Sequence, residues 1–92
     1  MLSYAQDWAR ILYVGDIQFL ITKEKYPFDH ELVPDEYRKY GKEVHCVDIE
    51  FRANGEEYPV LFFSKNLEER DELFSGISEE ELQVILFETL DL

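Results

Sequence analysis

The chain is short of cysteine, glycine and basic residues, and each shortage removes a class of explanation. A single cysteine, Cys46, excludes an internal disulfide framework and suits a reducing compartment. The four glycines are isolated, so neither a phosphate-cradling loop nor a dinucleotide fingerprint exists, since both need clustered glycines. No serine stands in a Gly-x-Ser-x-Gly setting. No uninterrupted apolar run exceeds four residues, whereas a membrane-spanning helix needs about twenty. The opening MLSYAQDWAR has no basic segment followed by an apolar one, so no secretory leader is expected and a cytoplasmic location is.

Basic residues are the scarcest relative to their counterparts. Nine stand against twenty-one acids, a formal net charge of −12. The imbalance is skewed: residues 66–92 hold nine acids and one base, Arg70, a net of −8. A field of this sign repels nucleic acid and anionic membranes and attracts basic protein surfaces. The same acids also keep a small domain soluble. One basic and aromatic run, Tyr37-Arg38-Lys39-Tyr40 with Lys42, is surrounded by Glu31, Asp35, Glu36 and Glu43, so no electropositive patch is expected.

What the chain does have is apolar and aromatic side chains, 46% and 15% of its 92 residues, enough for one modest core in a single domain, residues 1–92. The segment from Val44 to Lys65 organises it. Two apolar-rich runs there are joined by Asn54-Gly55, which supplies the positive φ values of a type I′ hairpin turn. Counting outward sets Arg52 against Glu57, Phe51 against Tyr58, Ile49 against Val60, Val47 against Phe62 and His45 against Ser64. Side chains alternate across a strand, so His45, Val47, Ile49, Phe51, Tyr58, Val60 and Phe62 form one core wall. Cys46 falls beside Phe63 on the other face. Pro59 lacks a ladder donor and marks its strand as an edge or a bulge.

Upstream, Gly15-Asp16 joins ARILYV to IQFLITK as a second hairpin, and Ile17, Phe19 and Ile21 alternate as a strand should. A short helical turn, with Ser3 and Gln6 as a capping pair, is expected before it. One continuous helix through Tyr4, Trp8, Ile11 and Leu12, ended by Gly15, is the competing reading. The connection from Lys23 to Glu43 is long, and Pro34 to Tyr40 is expected to form two helical turns within it. It carries Tyr26, Phe28, Tyr37 and Tyr40, aromatic types enriched at binding hot spots. The alternative is that these rings fold back to cap one end of the core.

Downstream, Asn66 and Glu69 make a capping pair. Leu67, Leu73, Phe74 and Ile77 form an apolar stripe, with Glu68, Glu69, Asp71 and Glu72 opposite. Gly76 is expected to end this helix in the left-handed conformation. Ser78 with Glu81 caps the next helix, and Ile77 with Leu82 has the spacing of a hydrophobic staple. Glu79, Glu80 and Glu81 then occupy the first turn, where the helix dipole favours negative charge. The last helix, Glu79 to Leu90, buries Leu82, Ile85, Leu86 and Leu90 on one face. Phe87 lies at its margin and Val84 nearly opposite, a coverage that implies burial on two sides or a partner.

These elements predict an α+β fold: two antiparallel hairpins in a four-stranded sheet, with the C-terminal helix pair packed on one face. Candidate chemistry is thin. His45, Cys46 and Asp48, with His30 elsewhere, are metal-ligating types, but adjacent strand residues point to opposite faces and no second cysteine or His-x-x-x-His spacing completes a set. A Cys–His nucleophilic pair requires His30 to reach Cys46, while His45 is expected to bond Ser64. No cofactor or metal is expected. The function indicated is a non-enzymatic acidic protein-binding module. It would be an inhibitor or immunity-type protein, or a nucleic-acid mimic, that blocks the basic, nucleic-acid-binding surface of a partner protein. Its expected contact residues are Glu68, Glu69, Asp71, Glu72, Glu79, Glu80 and Glu81, with Tyr26, Phe28, Tyr37 and Tyr40. The alternative is an assembly subunit that forms a homodimer through Val84 and Phe87. A small hydrolase or metal protein stands further off.

Overall fold

The computed structural model, which describes residues 4–5 and 7–91, is an antiparallel meander followed by two helices. The strands are β1 (Tyr4–Ala5), β2 (Ala9–Val14), β3 (Ile17–Pro27), β4 (Glu43–Ala53) and β5 (Glu56–Phe63), in spatial order β1-β2-β3-β4-β5. The helices are α1 (Leu67–Gly76) and α2 (Glu79–Leu90). The expected four-stranded sheet is therefore present as β2–β5, with the two-residue β1 added at its edge.

Two tight turns set the register. Asn54 and Gly55 take φ of +54° and +79°, as a type I′ turn requires, and β4 pairs with β5 as counted from the sequence. Gly15, at φ +59°, is the first residue of the β2–β3 loop, the position at which a type II′ turn needs positive φ. β3 bonds β4 with Phe19 opposite Phe51 and Ile21 opposite Ile49, which joins the two hairpins into one apolar wall. The rings of Phe19 and Phe51 meet at 4.7 Å.

The helices cover that wall. α1 passes over β3 and β4, and α2 reaches β2. Phe19, Ile21, Val47, Ile49 and Phe51 are buried against Phe74, Ile77, Leu82 and Leu86. The strand-to-helix joint is built around the buried Ser64. Its hydroxyl lies 2.9 Å from the His45 carbonyl and 3.0 Å from that of Asn66, and its one proton serves either acceptor. Asn66 in turn accepts from the Glu69 amide at 2.8 Å, and Ser78 from the Glu81 amide at 3.3 Å, so both helix starts are capped as the sequence indicates. Ile77 and Leu82 are both buried in the same cluster, as a staple requires.

Several expectations are corrected. Tyr4 and Ala5 form a strand paired with Ile11 and Arg10, so no helical turn precedes the hairpin there; Ser3 and Gln6 lie outside the described residues. Trp8 is exposed. β3 runs on to Pro27, which shortens the connection to residues 28–42, and Pro34 leads into a single 3-10 turn, Asp35–Tyr37, rather than two helical turns. Gly76 ends α1 without positive φ, because Ile77 leaves the helix in extended conformation and no left-handed residue is needed. Leu67 is 50% exposed and contributes nothing to the core. Phe62 occupies the expected face but is 37% exposed, since α1 lies over β3 and β4 and leaves the outer margin of β5 open.

Candidate protein-binding surface

Packing the apolar sides of both helices onto the sheet turns their acids outward. Glu68, Glu72, Glu79, Glu80 and Glu81 are exposed and Glu69 is half-buried. Among the described residues no ion pair engages any of these six; the pairs present belong to Asp35, Glu43 and Asp71. Asp71 is the exception on α1. Its carboxylate sits 3.0 Å from Lys23 of β3 and 2.9 Å from Arg70, and hydrogen bonds from both hold its pKa below the usual carboxylate range. The one base of the last 27 residues is thereby drawn toward the sheet.

The acids border an apolar groove of about 290 Å³ between α1, the start of α2 and the edge strand. Phe62, Leu73, Ile77 and Ile85 form its apolar part, and Glu69, Glu72 and Glu81 stand around it. A wider hollow of about 590 Å³ on the other side of the sheet is lined by residues of both signs, among them Glu50, Arg52 and Glu57. Of these two, the smaller groove is the one that joins apolar surface to charge of one sign.

The aromatic residues divide. Tyr26 lies on β3, its ring 4.7 Å from His30 and 6.4 Å from Phe63. Tyr37 packs 5.9 Å from Phe63, so these two rings cap one end of the sheet face opposite the helices. Arg38 holds the connection over that end by donating to the Val33 and His30 carbonyls at 3.1 and 3.4 Å, and Val33, Val44 and Cys46 are buried beneath it. Phe28 and Tyr40 face outward. Val84 and Phe87 are 54% and 45% exposed on the outer side of α2.

The adjacent nucleophilic and ligating groups of β4 are kept apart. Cys46 and His45 point to opposite faces of β4, as strand alternation demands. Burial, with the charge of Asp48 and Glu24, pushes the Cys46 thiol up to about 12, so the nucleophilic thiolate is suppressed. Ser64 bonds the His45 carbonyl rather than its imidazole, and the buried Nδ1 of His45 has no partner among the described residues. Burial, then the Arg70 cation, lowers the pKa of that ring. His30 is engaged locally, its Nδ1 accepting from the Leu32 amide at 3.1 Å. Asp48 is the one carboxylate strongly perturbed: burial, then its neighbours Glu50 and Glu24, push it up to about 6. Among the described residues no cluster of three or more ligating side chains is arranged to hold a metal ion, and no helix is long and apolar enough to cross a membrane.

The acids are legible in the sequence and the groove is not, because strand alternation places Phe62 wholly in the core. The signal available was Gly76, whose missing side chain leaves space beside the apolar stripe of α1. Compared with protein-family models, curated proteins and solved structures, the chain matches none.

Proposed function

We propose that the chain is a non-enzymatic binding module whose acidic helix pair engages a basic surface of a partner protein, in the manner of an inhibitor that blocks a nucleic-acid-binding site. The observation that carries this reading is the set of six glutamates on α1 and α2 that no ion pair engages among the described residues. Acids placed only for solubility are commonly interspersed with bases. Here the single base, Arg70, is turned to Asp71 and leaves the outer surface of one sign. Such a surface raises the rate of encounter with a basic partner more than it slows release. The buried thiol of Cys46 is consistent with a cytoplasmic setting.

The test begins with capture of partners at low and high salt and continues with association kinetics on the captured protein. Glu68, Glu69 and Glu72 changed together to Gln should leave folding intact, because Glu68 and Glu72 are solvated and a glutamine in place of Glu69 keeps an acceptor for the Lys65 amide that Glu69 bonds at 3.3 Å. Association is expected to slow about tenfold at low salt, with the difference shrinking as salt is added. Glu31 and Glu36 changed to Gln are the control, with a smaller effect. A rate indifferent to both salt and the triple substitution removes the reading and turns attention to Phe28 and Tyr40.

A second reading rests on Val84 and Phe87. Two large apolar side chains three positions apart on the outer side of α2 suit self-association, and that makes a homodimeric assembly subunit the alternative.

A further inference from the structure

Phe62 and the groove beside it ask for an occupant of particular chemistry. On α1 the lining positions are Glu69, Glu72, Leu73 and Gly76, spaced three, four and seven apart, which is one stripe of a helix. At 1.5 Å per residue that stripe is about 10 Å long, two helical turns. Opposite it, Glu81 and Ile85 are one turn apart on α2. At about 290 Å³ the groove sits at the lower limit of the ~300–1,000 Å³ typical of small-molecule pockets, which suits one or two large side chains. Its apolar floor favours hydrocarbon, and its three glutamates favour cations on either side.

The neighbouring sheet edge limits how a partner can enter. β5 is an edge strand, and an incoming strand would have to pair along it. Pro59 stands in the middle of that edge without a backbone donor, a device that blunts strand addition. A helix laid between α1 and α2 meets no such obstacle.

We infer that this groove receives a basic amphipathic helix of the partner protein, with apolar side chains at helical spacing against Phe62, Leu73, Ile77 and Ile85, and with lysines or arginines meeting Glu69, Glu72 and Glu81. The inference rests on the acidic-surface reading and adds to it a shape requirement that charge alone does not impose. Gly76 is its sensitive point. A Cβ there meets nothing within 4 Å and the backbone is not in the left-handed region, so a side chain can start from this position without strain, and a larger one would extend from the groove lining.

The probe is a pair of synthetic peptides of about 18 residues and identical composition. One places leucines at i, i+3, i+4 and i+7 with lysines elsewhere; the other scrambles that pattern. Fluorescence anisotropy of labelled peptide gives affinity. The amphipathic peptide is expected to bind the wild-type chain at least tenfold more tightly than the scrambled one. Amide shifts at Gly76 and methyl shifts at Ile77 and Ile85 should mark the contact. Gly76→Leu should abolish the tenfold preference while keeping the weak, salt-sensitive binding of the scrambled peptide. Equal binding of both peptides, a preference that survives Gly76→Leu in a folded variant, or wild-type shifts confined to residues outside the groove overturns the groove proposal and leaves the acidic surface standing. Failure of both peptides to bind at low salt overturns both.

Discussion

Lys23 of β3 and Asp71 of α1 form an ion pair of 3.0 Å that ties the sheet to the first helix. The same ammonium lies 4.8 Å from the centre of the Phe74 ring, so one cation joins an acid and an aromatic of α1. Its partner Asp71 has a folded-state pKa below its ordinary value, so the native chain holds that proton less tightly than the unfolded chain does. The stabilisation is present above the unfolded value of about 3.9 and is lost as pH falls through the lower folded value. Asp71→Asn should therefore be less stable than wild type at pH 7 and converge with it in strong acid, as read from urea midpoints.

Asp48 acts in the opposite direction. Its pKa in the folded chain is about 6, above the unfolded carboxylate value, so folding favours the protonated form. That stabilisation is full below about pH 4 and is lost as pH rises through about 6. Asp48→Asn should raise stability at pH 8 by about 1 kcal/mol or less, because solvent screens a half-buried carboxylate. The gain should vanish near pH 4, and a gain unchanged with pH would contradict the assignment.

The two central turn and rim glycines should respond differently to the same methyl group. Gly55→Ala is expected to cost about 1 kcal/mol, because φ is +79° and no neighbour crowds the site. Gly76→Ala adds a good helix former at the end of α1 in open space and should be neutral or slightly stabilising. Thermal melting of the two variants checks both statements.

Core depth separates two phenylalanines on one face of the sheet. Phe19 is 0% exposed and Phe19→Ala should cost about 3–5 kcal/mol, the range for a large buried ring. Phe62 is 37% exposed, and Phe62→Ala should cost about 1–2 kcal/mol, because much of its surface is already in water. Equal losses would place Phe62 in the core after all.

Phe87→Glu should leave the chain folded, since the ring is 45% exposed. Sedimentation then decides the second functional reading. A wild-type dimer that becomes monomeric in the variant supports assembly through α2, and a wild-type monomer at high micromolar concentration removes it.

The parts of the fold legible in the sequence were those specified by adjacent residues. Asn54-Gly55 needs no distant partner to form its turn, and it fixed the pairing of β4 with β5. Asn66 and Ser78 announce helix starts for the same local reason. Tyr4, Trp8, Ile11 and Leu12 also fit helical spacing, yet pairing of Tyr4 with Ile11 decides for a strand, and such pairing is a tertiary choice that periodicity does not contain. The apolar patterns around Leu67 and Phe62 predict both inside; where α1 crosses the sheet determines how much of each is covered. Of the candidate surface, the outward acids follow from the apolar stripe of each helix. The groove needs two helices and a strand edge brought together, and Gly76 alone marks one wall of it without showing the other two.

The order of the strands also has a meaning in time. Because β1 to β5 lie side by side in the order they occur in the chain, each strand emerging during synthesis finds its neighbour already made. Residues 66–92 follow β5 in the chain, and at about 5–20 residues per second their synthesis takes a few seconds. During that interval Phe19, Ile21, Val47, Ile49 and Phe51 stand on an uncovered sheet face. The segment that then closes over them, residues 66–92, has a net charge of −8, so a nascent surface prone to aggregation is replaced by one that repels its own kind.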